Sequence, residues 1–119
     1  MFQEDWAMRQ IRYAIQFIAR LLFNRDVVSY EIRDIYNQTE TDMLYIHLNT
    51  MIDEGRINEA ENMLFEMLDN NDTNNLILAL DFYSRLNDMS DEELEAREFS
   101  REEIESGLDD IKAQFGISL

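Results

Sequence analysis

The chain contains no cysteine, which excludes disulfides, thiolate nucleophiles and cysteine metal centres. It has no proline and only three glycines. Phosphate-cradling loops of the GxxxxGK or GxGxxG type therefore cannot be built. A single histidine and the lack of a glycine-rich turn around any serine leave nucleophilic catalysis little to work with. Long apolar runs are missing too. The longest stretch, "YAIQFIARLLF" from Tyr13 to Phe23, is broken by Gln16 and Arg20, short of the about twenty apolar residues a membrane span needs. The start of the chain shows no basic region, clean apolar core and small-residue cleavage site, so no secretory leader is expected. Basic residues are few: 10 Lys and Arg face 26 Asp and Glu, a net charge of −16.

Apolar side chains, by contrast, are plentiful. They make up 45% of the 119 residues and include seven Phe, five Tyr and seven Met, enough to argue for a packed core over disorder. With helix breakers scarce and no period-two alternation, the expected fold is all-α, a compact bundle in one helical domain over residues 1–119. Four longer helices and one or two short ones are expected. The charge is uneven. Residues 1–26 carry +1 and residues 27–119 carry −17, a body that repels phosphate backbones, so nucleic-acid binding is not expected. Absence of cysteine fits a cytoplasmic setting.

The first helix is expected from about Glu4 to Asn24. Ala7, Met8, Ile11, Ala14, Ile15, Ile18, Ala19, Leu21 and Leu22 share one stripe, opposite Asp5, Arg9, Arg12, Gln16, Arg20 and Asn24. Trp6, Tyr13 and Phe17 add an aromatic ridge beside the arginines. That surplus of apolar surface is read first as a helix buried on two sides, then as a homodimer seam, and last as a membrane-surface helix. Trp6, Arg9, Tyr13, Phe17 and Arg20 form the candidate interaction surface for a protein partner.

Residues 25–41 read either as a short helix capped by Ser29, carrying Ile32, Ile35 and Tyr36, or as a linker. A second helix is expected from near Thr41 to Gly55, with Leu44, His47, Leu48, Met51 and Ile52 on one face. Asn58, with Glu61 in the capping-box position, is expected to open a third, whose inner face is Ala60, Met63, Leu64, Met67 and Leu68. "NNLILALDFYSRLND" is apolar nearly all round, as a central helix would be. Met89-Ser90-x-x-Glu93-Leu94 and Phe99-Ser100-x-x-Glu103-Ile104 each combine a capping box with a hydrophobic staple. The last helix carries Ile104, Leu108, Ile111 and Phe115 to a stop at Gly116. Gly107 lies on that same face, where a missing side chain lets a neighbour approach.

"MLDNNDTNNLI", residues 67–77, resembles a calcium loop but fails its pattern. Counted from Asp69, oxygens stand at Asn71 and Thr73. The sharp-turn position is Asn74, however, and the bidentate position is Leu80. An interhelical turn and cap is the reading that fits. His47, with Leu44 where a di-iron bundle would place glutamate, reads as a packed residue. The carboxylate runs 91–98 and 101–110 read as solvated helix faces. No catalytic residue, cofactor or metal site is expected.

"LYIHLNTMIDEGRINEAENMLFEMLDNND" resembles one tetratricopeptide-type unit, with Gly55, Ile57, Glu59, Ala60, Leu64 and Leu68 in the family's positions. It departs from that pattern at Leu48, which replaces a small residue, and in having no closing proline and no second unit. Taken whole, the chain resembles a family of short bacterial all-helical proteins of unknown function, through "DWAMRQI", "EGRINEAENMLFEML", "LALDFYSRLN" and "FSREEIESGLDDIKAQFGI". The resemblance implies a helical fold and no particular activity. The functional expectation is a non-enzymatic interaction module. An acidic charge-mimic of a basic or nucleic-acid-binding partner comes second, and a carboxylate-based divalent-metal enzyme third.

Overall fold

A computed structural model describes residues 2–26, 28–68 and 72–117, with side chains from Trp6 onward. Six helices follow in order: α1 (Phe2–Phe23), α2 (Glu40–Asp53), α3 (Ile57–Met67), α4 (Thr73–Asn87), α5 (Asp91–Ala96) and α6 (Arg101–Gln114). No strand occurs among the described residues. The Cα radius of gyration, 13.9 Å, is close to the about 13.5 Å expected of a globular chain of this length. The all-α expectation, four longer helices with short additions, holds; α3 and α5 are the shorter ones.

Local chemistry sets most boundaries. Ser90 accepts from the Glu93 amide and Ser100 from the Glu103 amide, and each glutamate reaches back to its cap residue. Both capping boxes stand as the sequence places them. Asp72 caps α4 by accepting from the Asn74 amide, which fits the turn reading of residues 67–77; Asp69 and Asn71 lie outside the described residues. Helix α2 ends as Gly55 takes φ +79° and the Arg56 amide closes onto Met51 O at 2.8 Å, a left-handed stop that glycine adopts without a Cβ clash.

The expected opening of α3 is overturned. Helix α3 starts two residues earlier than expected, with Arg56 as cap and no side-chain capping bond. Asn58 instead donates to Glu98 O at 3.1 Å, and Glu61 is recruited by Tyr83. Helix α2 starts near Thr41, as expected, and is opened by Thr39 with Asp42 in a capping box. Of the two readings of the segment before it, the linker is the one seen: its described residues form no helix. Ser29 caps nothing, and Ile35 and Tyr36 face solvent, because Asp34 gathers the chain into a tight turn by accepting from the Tyr36 amide and the Asn37 side chain.

That linker is pinned at Tyr30, close to the buried Val28. Tyr30 packs on the Tyr45 ring, centroids 4.9 Å apart, and donates to Asp42 Oδ1 at 2.5 Å. The bond from Tyr30, then that from the Thr39 amide, lowers the Asp42 carboxyl, while burial and then Asp42 push the Tyr30 hydroxyl to about 12. Asp42 therefore contributes its stability above the ordinary carboxylate range and loses it as pH falls through the lowered value. Tyr30 contributes below about 10 and loses its share as pH rises through about 12.

Helix α4 is the centre. Leu76, Leu78, Ala79, Leu80, Phe82, Tyr83 and Leu86 are all buried, and it packs against α1, α2 and α6. Helices α2 and α3 pack against each other as a hairpin across the Gly55 turn. Helix α1 lies on α4 and α6 through Ile11, Ile15, Ile18 and Ala19.

Candidate interaction surface

Only one side of α1 is covered. Leu21 and Leu22, expected on its inner stripe, are exposed, since the contact with α4 and α6 is carried by the middle of the helix. The aromatic ridge is uncovered as well. Trp6 is 58% exposed, Tyr13 55% and Phe17 47%, so two-sided burial of this helix is overturned. Their spacing, with Gln10 between, keeps them in one row along the outer face. Arg9, Arg12 and Arg20 are exposed along the other flank of that row. The Arg12 guanidinium lies 6.0 Å from the Tyr13 ring centroid, and Arg20 pairs with Asp26. The five residues singled out from sequence thus share one solvent-facing surface.

Trp6 also lines two clefts. The larger, about 730 Å³, runs between the start of α1 and the α5–α6 corner. Ala7, Leu94 and Phe99 give it apolar lining, and Glu95, Glu102 and Glu105 add acidic side chains. None of those three glutamates forms an ion pair among the described residues. The second, about 310 Å³, continues along α1 and α6 past Ile11, Ala14 and Leu108. An indole therefore stands between two apolar-lined hollows whose α6 side is negative. This combination was not legible in sequence, because α1 and α5–α6 are brought together only by packing.

Behind the corner lies a buried cation that sequence reasoning missed. Arg101 is 7% exposed. It donates Nε–H to Asp91 Oδ1 at 2.9 Å, Nη1–H to Asn87 O and Oδ1 at 3.1 Å each, and Nη2–H to Met89 O. Asn87 in turn donates to Met8 O at 2.9 Å. The network ties α1, α4, α5 and α6 together and leaves the cleft a fixed floor.

A second polar centre joins α3, α4 and α6. Tyr83, fully buried, lies over Gly107 and donates its hydroxyl to Glu61 Oε2 at 2.5 Å. Burial raises the Glu61 carboxyl above its usual range. The Tyr83 bond opposes this, and the charges of Glu103 and Asp110 add to the rise. Burial, then Glu61, likewise raises the Tyr83 hydroxyl. Because folded Glu61 holds its proton more tightly than the unfolded chain does, its stabilising share is full below about pH 4 and is lost as pH rises through the raised value. Glu61→Gln keeps an oxygen for Tyr83. It is expected to be more stable than wild type at neutral pH, with the gain vanishing below about pH 4. Urea unfolding at both pH values checks this; a difference that does not change with pH contradicts it.

His47, expected to be packed, is exposed, because α3 meets α2 through Leu44, Leu48 and Met51 and leaves the imidazole at the seam's edge. Met67, expected on the inner face of α3, is exposed too. Among the described residues no three His, Cys, Asp or Glu side chains are grouped to hold a metal ion, and no helix is long and apolar enough to cross a membrane.

Residues 1–116 match a family of unknown function, DUF6483. No curated protein and no solved structure matches the chain.

Proposed function

As the chain belongs to that family of unknown function, we propose from its own geometry that it is a non-enzymatic, cytoplasmic protein–protein interaction module. The outer face of α1 and the adjoining α1–α6 clefts receive a partner segment carrying apolar and basic side chains. The observation that supports this most is the row Trp6, Tyr13 and Phe17, each about half exposed or more, bordered on the α6 side by unpaired glutamates. Exposed aromatics beside an apolar hollow are the usual anchors of an interface. The net charge of −16 favours a basic partner and hastens its encounter. A partner that uses its basic surface for nucleic acid would be masked by the same contact.

The test is calorimetric titration of the full chain with an amphipathic Leu/Lys helical peptide. One-to-one binding is expected, weakening steeply from about 0.1 to 1 M salt as the screening length falls from about 10 to 3 Å. Phe17→Asp should weaken it through the apolar row. Glu102→Gln with Glu105→Gln should weaken it and flatten the salt dependence. Equal binding by all three proteins overturns the reading.

A second copy is the competing occupant. Trp6, Gln10, Tyr13 and Phe17 follow the alternating spacing of a coiled-coil seam, although each copy brings its own −16. A dimer in sedimentation that Phe17→Asp dissolves with helicity retained would replace the basic partner by this one.

A further inference from the structure

The α2–α3 hairpin carries four soft donors on one exposed edge. Around the turn at Gly55, His47 stands eight residues before and Met63 eight after, while Met43 stands twelve before and Met67 twelve after. In an antiparallel helix pair those separations set His47 beside Met63 and Met43 beside Met67. Along each helix the two donors are four residues apart, so they share a face at about 5–6 Å between Cβ atoms. All four line a single cleft of about 330 Å³, together with Leu44 and Glu40. Met43 and Met67 are about half exposed and His47 is exposed, while Met63 is half-buried against the core, so three of the four donors are open to solvent.

We propose that Met43, His47, Met63 and Met67 form a binding site for one soft monovalent metal ion, Cu(I) or Ag(I). Three thioethers and one imidazole are a donor set that such ions accept and that hard divalent cations do not. Thioethers carry no charge and no proton to displace, so the site needs only that the flexible methionine side chains turn inward. Packed helices stand roughly 8–10 Å apart between axes, a gap that side chains of this length span from both sides. Leu44 and the methionine stems give the ion an apolar wall, and the acidic body attracts a cation toward it. Nothing in this site depends on the surface of α1.

The experiment is titration of the full chain with Ag(I), read in proton–carbon spectra of the methionine methyl groups. The methyl signals of Met43, Met63 and Met67 should move together with the His47 ring signals and saturate at one equivalent. Those of Met8, Met51 and Met89 serve as internal references and should stay. Mg(II) should move none of them. The triple variant M43L/M63L/M67L keeps apolar volume and should lose the one-equivalent transition with helicity unchanged; His47→Leu alone should weaken it. If Ag(I) moves all methionines alike, if the triple variant binds as wild type does, or if nothing saturates, the site is refuted. Should the triple variant fail to fold, the single variants Met43→Leu and Met67→Leu, both at exposed positions, decide the question by the same readout.

Discussion

Arg101→Ala is expected to lower the free energy of unfolding by about 3 kcal/mol, roughly a 10 °C fall in melting temperature for a chain of this size. The reason is not the ion pair. Asp91 is more than half exposed on its side chain and would be rehydrated once released, so that pair contributes at most about 1 kcal/mol. The larger loss is at the backbone. The guanidinium satisfies Asn87 O and Oδ1 and the carbonyl of Met89, at the end of α4 where carbonyls have no helical partner. Each acceptor left buried and unpaired costs about 1–3 kcal/mol. Asn87 also holds Met8 O, so the damage reaches α1 and the wall of the Trp6 cleft. Arg101→Lys should recover only part of the loss, since an ammonium cannot reproduce the planar fork. Urea unfolding of the three proteins measures this; a loss below about 1 kcal/mol for the alanine variant would show the network to be incidental.

Gly107→Ala should cost about 2 kcal/mol, although alanine is the better helix former. Propensity alone would stabilise α6 by about 1 kcal/mol. Against this, a methyl at position 107 would lie 2.1 Å from the Tyr83 Oη, 2.4 Å from its Cζ and 2.7 Å from its Cε1, far inside van der Waals contact. The ring has little freedom to yield. It is fully buried, packs edge-on to Phe82 at 5.1 Å between centroids, and has its hydroxyl held by Glu61. Either α6 moves off α4 or Tyr83 leaves its place, and overpacking of that kind lies near the top of its usual range of about 1–3 kcal/mol. In a Tyr83→Leu background the same alanine should be tolerated far better, a coupling of at least about 1 kcal/mol by double-mutant cycle. An alanine variant more stable than wild type would contradict the close approach of Tyr83 to Gly107.

How much of this was legible beforehand depends on the range of the interaction involved. The capping boxes at Ser90 and Ser100 were readable because every atom they need lies within four residues. Helix α4 was recognisable as central because its apolar residues leave only the edge of Asp81, Ser84, Arg85 and Asp88. Gly107 was suspect from its position on a buried face, though not the ring that fills it. The Asn58–Glu61 pair shows the limit. Its spacing satisfies a capping box, yet Asn58 bonds across to Glu98 and Glu61 to Tyr83, because distant partners outcompeted the local one. Periodicity likewise revealed the aromatic row of α1 but not its exposure, since coverage depends on how many neighbours a helix finds. His47 was misplaced for the same reason. Of the candidate surface, the α1 residues could be named from sequence, whereas the acidic wall opposite them required the fold.

Trp6 is the only tryptophan, so its fluorescence reports on the proposed contact without labelling. Emission should lie at long, water-exposed wavelengths in the free chain, shift to the blue as the basic amphipathic peptide is added, and saturate at one equivalent. It should return when salt is raised, and Glu102→Gln with Glu105→Gln should blunt the shift. An indole already blue-shifted in the monomer would contradict the open surface, and one indifferent to a bound peptide would contradict its role as the anchor.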